Sequence, residues 1–212
     1  MMHIVWHGHS CFEINNGTVI VVDPHDGRSL GIKPPSAAAD IVLISHDHFD
    51  HNSFKSIRGS HKDMFAFAGE FEFGGCVFEG LQSDHDGMGG TKRGKNVMYK
   101  MKIDGVTICH CGDLGNMPDD DVICKIRNTD ILMVPVGGVY TMDTTDVIRF
   151  IDAVRPRIII PMHYRVGGLS IPLNSVDSFI NVVGHNVEYV GNEIDFSADE
   201  LPQETTVWVF SR

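Results

Sequence analysis

Four apolar residues, Ile41-Val42-Leu43-Ile44, run directly into Ser45-His46-Asp47-His48-Phe49-Asp50-His51. Such a run suits a buried strand and is too short for an ordinary helix, so a sheet core is expected here. Three imidazoles and two carboxylates then crowd into six positions, a density that packing does not require. His46 and His48 are two apart, so in an extended chain they point the same way and can grip one cation. A turn after them aims Asp50 and His51 at a neighbouring point. The stretch reads as a metal-binding strand end, compatible with one ion or two.

The flanking segments supply the rest of a sheet protein. Residues 4–7, 11–14 and 18–22 read as strands, with Asn16-Gly17 as a type I′ hairpin turn. The third ends at Asp23-Pro24, where proline stops the ladder and leaves Asp23 at the strand tip. Asn52 or Ser53 can cap a short helix through Ile57, which Gly59 ends. Residues 64–68 and 75–81 are further strands. A second hairpin, 97–103 and 106–109, closes on Asp104-Gly105. Beyond it strands and helices alternate: helix 119–126, strand 131–136, helix 144–154 capped by Asp143 or Thr144, strand 157–161, helix 174–183, and strands near Val187 and at 206–210. The expectation is one domain over residues 1–212, with a strand-rich first half and a βα-rich second half.

Composition narrows the function classes. A formal net charge of −11 argues against a general nucleic-acid or anionic-membrane surface. No apolar run approaches the ~20 residues that span a bilayer, and the N-terminus lacks the pattern of a signal peptide, so the cytoplasm is the expected compartment. Five cysteines, an odd number without a dense framework, argue against a disulfide scaffold. Cys109-His110-Cys111 is expected to pack in the core, because alternation on a strand puts His110 on the face opposite both thiols.

His85, Asp113 and His163 each fall just beyond the end of an expected strand. Strand ends along one sheet edge converge on a crevice, where open α/β architectures build their sites. With the first motif they make five histidines and two aspartates, a suitable set for two metals and a bridging carboxylate. His9, at the exit of the first strand, either lines this crevice or packs at the strand end, and the sequence leaves both open. Asp23 is expected to orient a ligand histidine. Lys92, Arg93 and Lys95 form a basic loop after His85, and Arg165 follows His163; Arg93 and Arg165 are the candidates for an anion pocket.

The motif from Ser45 to His51, followed in order by His85, Asp113 and His163, resembles the metallo-β-lactamase superfamily over essentially the whole chain. Gly8-His9-Ser10, Asp23-Pro24, Arg93-Gly94-Lys95-Asn96, Gly112-Asp113-Leu114-Gly115, Pro135-Val136-Gly137-Gly138 and Ile160-Pro161-Met162-His163-Tyr164 resemble its small metal-dependent hydrolases related to ascorbate-6-phosphate lactonase. The resemblance implies an α/β (α+β) fold, a four-layer αββα sandwich of two sheets with outer helices. It also implies that His46, His48 and His85 hold one metal, that Asp50, His51 and His163 hold a second, and that Asp113 bridges. Antibiotic-hydrolysing members commonly carry cysteine where Asp113 stands, and flavodiiron relatives carry glutamate where His48 stands, so neither activity is expected.

The implied chemistry is hydrolysis by a hydroxide shared between two dications, acting on a small ester, lactone or phosphoester, with an anionic one favoured by the basic loop. Asp50 is the expected acid/base, and His163 or Tyr164 a donor to the developing oxyanion. Zinc suits the imidazole-rich set, and the carboxylates also suit Mn²⁺ or Fe²⁺. The expected partner is a small molecule, with no nucleic acid or membrane, and a homo-oligomer is compatible. The alternatives are an RNA or nucleotide phosphodiesterase of the same superfamily and a mononuclear iron dioxygenase acting on persulfides.

Overall fold

Strand alternation sets which side chains meet between the two sheets of this protein, seen in a computed structural model that describes residues 1–211. β1 (Met2–Gly8) buries Met2, Ile4 and Trp6 and turns His3, Val5 and His7 outward. β2 (Cys11–Asn15), β3 (Val19–Val22), β4 (Ile41–Ile44) and β5 (Lys62–Phe65) follow in the same sheet. β3, β4 and β5 run parallel, and β1, β2 and β3 antiparallel. The sheet has six strands, its last member being β13, placed below.

The second sheet has eight strands. It begins as an antiparallel meander of β6 (Gly69–Phe73), β7 (Cys76–Asp84), β8 (Lys95–Ile103) and β9 (Val106–His110). It continues in parallel through β10 (Ile131–Pro135) and β11 (Ile158–Met162), whose five residues each are all buried, as a covered parallel strand requires. Helices α1 (Asp120–Ile126), α2 (Thr144–Val154) and α3 (Asp177–Val183) form the crossovers and pack against one another. After α3 the chain returns to both sheets: β12 (Asn186–Tyr189) and β14 (Thr206–Val209) join the second, and β13 (Glu193–Phe196) the edge of the first beside β1.

α2 shows why the helical spacing was informative. Val147, Phe150, Ile151 and Val154 line its buried face, Asp143 caps it by accepting from Asp146 N at 3.0 Å, and Arg155 ends it in a left-handed conformation. Ile148, beside this face, is only partly covered. α3 starts at Asp177 rather than 174, because Asn174 is already tied to Gly137 O and accepts from Arg165 N.

Several expectations need correction. Asp104 and Gly105 both have positive φ, as a type I′ turn demands, but the first hairpin does not use that turn. There Asn15 pairs with Val19, so residues 16–18 form the loop and only Gly17 has positive φ. Of the expected strand 64–68 only Met64 and Phe65 are extended, as the end of β5 in the first sheet; the chain turns at Ala66 (φ +44), and β6 opens the second sheet beyond it. β6 and β13 were not anticipated, although Glu70-Phe71-Glu72-Phe73 and Glu193-Ile194-Asp195-Phe196 alternate polar and apolar residues. The segment after Ser53 forms only a 3-10 turn, Phe54–Ser56.

That turn has a structural part to play. The outward faces of the first sheet, Cys11, Val21, Val42 and Ile44, pack with Ala37, Ala39, Ile57 and Phe54. This outward face of the first sheet is covered by a loop and a 3-10 turn, within the two-sheet α/β architecture that was expected. Everything between the sheets and under the three helices forms one continuous apolar cluster. No helix among the described residues is long and apolar enough to cross a membrane.

Candidate metal centre

β1, β3 and β4 point their C-terminal ends to the same edge of the first sheet, and β7, β9 and β11 do so in the second. The donor residues follow those ends directly: His9 after β1, Asp23 after β3, His46 to His51 after β4, His85 after β7, Asp113 after β9 and His163 after β11. Main-chain bonds join the sheets here, from His163 N to His9 O at 3.1 Å and from Val97 N to Ser45 O at 2.9 Å. His9, Asp23 and His163 all hold positive φ, a costly state for non-glycine residues, and each turns its side chain off the strand axis at this edge.

Two groups of donors result. In one, His46, His48 and His85 bring ligand atoms within 4.8 Å of one another. In the other, Asp50, His51, His163 and also His9 do the same. Asp113 lies between them. Its Oδ2 is 3.3 Å from His85 Nε2, 3.2 Å from His163 Nε2 and 3.9 Å from His46 Nε2, and its Oδ1 is 3.3 Å from His51 Nε2. The seven residues expected from the sequence are thus brought together.

The donor set fits cations. His46 Nε2 and His51 Nε2 are buried without a hydrogen-bond partner, and burying such atoms unsatisfied is costly. Their other nitrogens are engaged. His51 Nδ1 donates to Asp23 Oδ2 at 2.9 Å, and His46 Nδ1 lies 2.8 Å from Ser45 Oγ, which itself donates to Asp23 Oδ2 at 2.6 Å. Asp23 also accepts from Ser45 N at 2.7 Å. A third grouping of Asp23, His46 and His51 is therefore a holding network, not a further site. It leaves both Nε2 lone pairs facing the centre.

Electrostatics agrees. Burial, then neighbouring His51, pushes His46 down to about 3, and burial with nearby His163 pushes His9 down to about 4, so both are neutral ligands or donors at pH 7. Burial lowers His51 too, but Asp113, Asp50 and Asp23 outweigh it and hold its pKa well above the ordinary value. Burial would raise Asp113, yet His163 and His51 keep it well below the carboxylate range. Three carboxylates around one buried imidazole call for positive charge, from a proton or from a cation that displaces it.

Two close approaches depend on glycine. Gly112 has φ +55, and a Cβ there would lie 2.3 Å from Asn96 Oδ1, the atom that accepts from Asp113 N at 3.0 Å. At Gly115 a Cβ would sit 2.2 Å from the His85 carbonyl carbon. Asn96, bonded also to Cys111 O and Ser83 Oγ, holds the Asp113 loop in place. A lone buried asparagine gives no composition or periodicity signal, and its role was not foreseen.

Above the donors lies a cavity of about 480 Å³, lined by His48, Asp50, His85 and Asp113, by Phe49, Ile171 and Pro172, and by Arg93 and Tyr140. The expected substrate residues divide. Arg93 lines the cavity, whereas Arg165 is exposed and outside its lining. Tyr164 is buried, stacks on Trp6 and donates its hydroxyl to Phe210 O at 2.8 Å, away from the cavity. His9 is fully buried and sits behind Asp50, with Nε2 3.0 Å from Asp50 Oδ2, so it meets a carboxylate and not a substrate. In the basic loop, Lys95 is taken up by Asp84 and Gly89 O. Cys109 and Cys111 are core residues, with His110 turned to Ser10 O.

Comparison with known proteins places this geometry. Residues 3–163 match the family model for a β-lactamase superfamily domain. A metal-dependent hydrolase from Thermoplasma volcanium is 31% identical over 188 residues, covering 76% of this chain and 82% of its own. A second metal-dependent hydrolase, from Thermoplasma acidophilum, is 28% identical over 186 residues, covering 77% and 83%. The crystal structure of a protein assigned as a Zn-dependent hydrolase of the metallo-β-lactamase superfamily from Thermotoga maritima superposes with a TM-score of 0.82 at 31% identity, covering 99% of this chain and 98% of that one. The chain belongs to the metallo-β-lactamase superfamily and is a metal-dependent hydrolase.

Proposed function

We propose that the protein hydrolyses a small ester, lactone or phosphoester at a pair of divalent cations. His46, His48 and His85 would hold one, Asp50, His51 and His163 the other, with Asp113 between them. The observation that carries this reading is the position of Asp113, within 3.2 to 3.9 Å of histidines from both groups. Zinc is the first candidate for a donor set dominated by imidazole, with Mn²⁺ and Fe²⁺ next. When bound, such cations supply a water of lowered pKa and positive charge opposite the oxygen that becomes negative.

The chain's own groups do the rest. Asp50 faces the cavity with its carboxylate held ionised: burial opposes this, but His51 and His9 prevail. It can take a proton from the attacking water and, being a weak base, release it to the leaving oxygen. His9, neutral at pH 7, fixes the carboxylate by donating from Nε2. Phe49, Ile171 and Pro172 wall the cavity with apolar surface and limit water around the reacting bond.

The test is metal content of natively purified protein by mass spectrometry, followed by a panel of ester, lactone and phosphodiester substrates. Two cations per chain and turnover of one class are expected. Asp113→Ala should lose both cations. Retention of two cations in that variant, or one cation per chain in the wild type, would refute the shared site.

A further inference from the structure

Arg93 is held in place from both sides. Asp86, the residue after His85, accepts four main-chain N–H bonds from the loop that follows: Met88 and Gly90 to Oδ1 at 2.8 and 3.0 Å, Lys92 and Arg93 to Oδ2 at 2.9 and 2.7 Å. His85 N in turn donates to Gly94 O at 3.1 Å. The main chain of Arg93 is thereby fixed relative to His85. On the other side the guanidinium lies 3.9 Å over the ring of Tyr140. Tyr140 holds φ +70, a conformation that a bulky side chain keeps only where its surroundings over-determine it.

This arrangement leaves the guanidinium without a counter-charge. Among the described residues Arg93 forms no ion pair, and unlike the other unpaired arginines it lines the cavity, over Tyr140. Arg93 is exposed at the cavity wall, so its guanidinium is open to an anion entering from solvent. Stacking on Tyr140 covers the face of the guanidinium and leaves its N–H edge free. That planar edge matches an anion that offers two oxygens side by side.

We propose that Arg93, backed by Tyr140, is a specificity-determining anion subsite. It selects substrates that carry a carboxylate or phosphate group a few bonds from the hydrolysed one. The apolar wall of Phe49, Ile171 and Pro172 faces the segment between the two ends. The cavity of about 480 Å³ sets the scale to a small organic anion, not a polymer. The proposal rests on the hydrolase reading above for the position of the hydrolysed bond.

Two measurements separate the subsite from that reading. The first compares an ester ending in a carboxylate, mono-p-nitrophenyl glutarate, with neutral p-nitrophenyl butyrate in wild type, Arg93→Ala, Arg93→Lys and Tyr140→Leu. The ratio of kcat/KM for the anionic over the neutral ester should fall about tenfold or more in Arg93→Ala, chiefly through KM, as expected for a lost charge-assisted hydrogen bond. Arg93→Lys should restore part of it, and Tyr140→Leu should lower it about threefold. A ratio that changes by less than twofold in Arg93→Ala overturns the subsite.

The second measurement titrates glutarate and inorganic phosphate into the same proteins by calorimetry, with no turnover required. Arg93→Ala should weaken at least one of them about tenfold, and the one weakened more identifies the headgroup. Equal affinities in wild type and variant overturn the subsite. If no ester is hydrolysed while anion binding still depends on Arg93, the hydrolase reading fails and the subsite stands.

Discussion

Asp23 touches no cavity, yet its replacement should weaken both cations. Its carboxylate is fully buried and accepts three bonds, from Ser45 N, Ser45 Oγ and His51 Nδ1, at 2.7, 2.6 and 2.9 Å. One branch fixes the His51 ring, and the other passes through Ser45 Oγ to His46 Nδ1 at 2.8 Å. The two histidines belong to different donor groups. Removing the partner of a ligand histidine costs about 10- to 100-fold in metal affinity, or about 1.4 to 2.7 kcal/mol per cation. Asp23→Asn is the right perturbation, because the amide oxygen can still accept from Ser45 N. Alanine would strip three bonds to a buried charge, each worth about 1.5 to 3 kcal/mol, from a fold whose whole stability is about 5 to 15 kcal/mol. Stripped protein titrated with Zn²⁺ against a chromophoric chelator reads both sites. Asp23→Asn should weaken both, and Ser45→Ala only the site of His46, His48 and His85. If both affinities in Asp23→Asn stay within twofold of wild type, the holding network has no bearing on the metals.

Three further expectations follow from the geometry. Cations present at about a thousand times their Kd would stabilise the chain by about 4 kcal/mol per site, and at this length each kcal/mol moves Tm by about 2 to 4 °C; a chelator should therefore lower Tm by at least about 8 °C in calorimetry, and an unchanged Tm would mean that no cation is bound to the fold. Gly112→Ala should displace the Asp113 loop, because its Cβ would meet Asn96 Oδ1 at 2.3 Å from a backbone at φ +55; metal content should fall while far-ultraviolet circular dichroism is retained. Asp143→Ala should remove the cap of α2 and cost about 1 kcal/mol, a Tm loss of about 2 to 4 °C with activity unaffected, which a thermal melt and a turnover assay check together.

The donors were legible in the sequence because a strand end announces itself locally. An apolar run such as Ile41 to Ile44 or Ile158 to Ile160 stops, and a histidine follows within three residues. What surrounds the donors was harder to read. Tyr140, Ser170, Ile171 and Pro172 reach the cavity from loops far along the chain, and no periodicity marks which loop side chain turns inward. Tyr164 misled because adjacency to His163 was taken as proximity to the site, whereas the left-handed residue at His163 sends the next side chain into the core against Trp6. Among the strands, β6 and β13 were missed because four alternating residues, Glu70-Phe71-Glu72-Phe73 or Glu193-Ile194-Asp195-Phe196, are too short a run to stand out, and the expected strand 64–68 overran the turn at Ala66, a residue that does not advertise positive φ. The two-sheet α/β fold was legible, whereas the loop whose Ala37 and Ala39 cover the outer face of the first sheet has no period that marks it.

The placement of the donors on two sheets has a mechanical consequence. His46, His48, Asp50 and His51 hang from the six-stranded sheet, while His85, Asp113 and His163 hang from the eight-stranded one. Between the sheets the apolar layer is held by close packing of interdigitated side chains, whose hydrophobic contacts are not directional. Ions gripped from both sides would act as a clasp at one rim. They would make separation of the two halves and release of metal a single event. The opposite rim, joined by the hydrogen bond from Thr18 Oγ1 to Gly74 O at 3.0 Å rather than by ligand residues, would then be the place where this protein opens first.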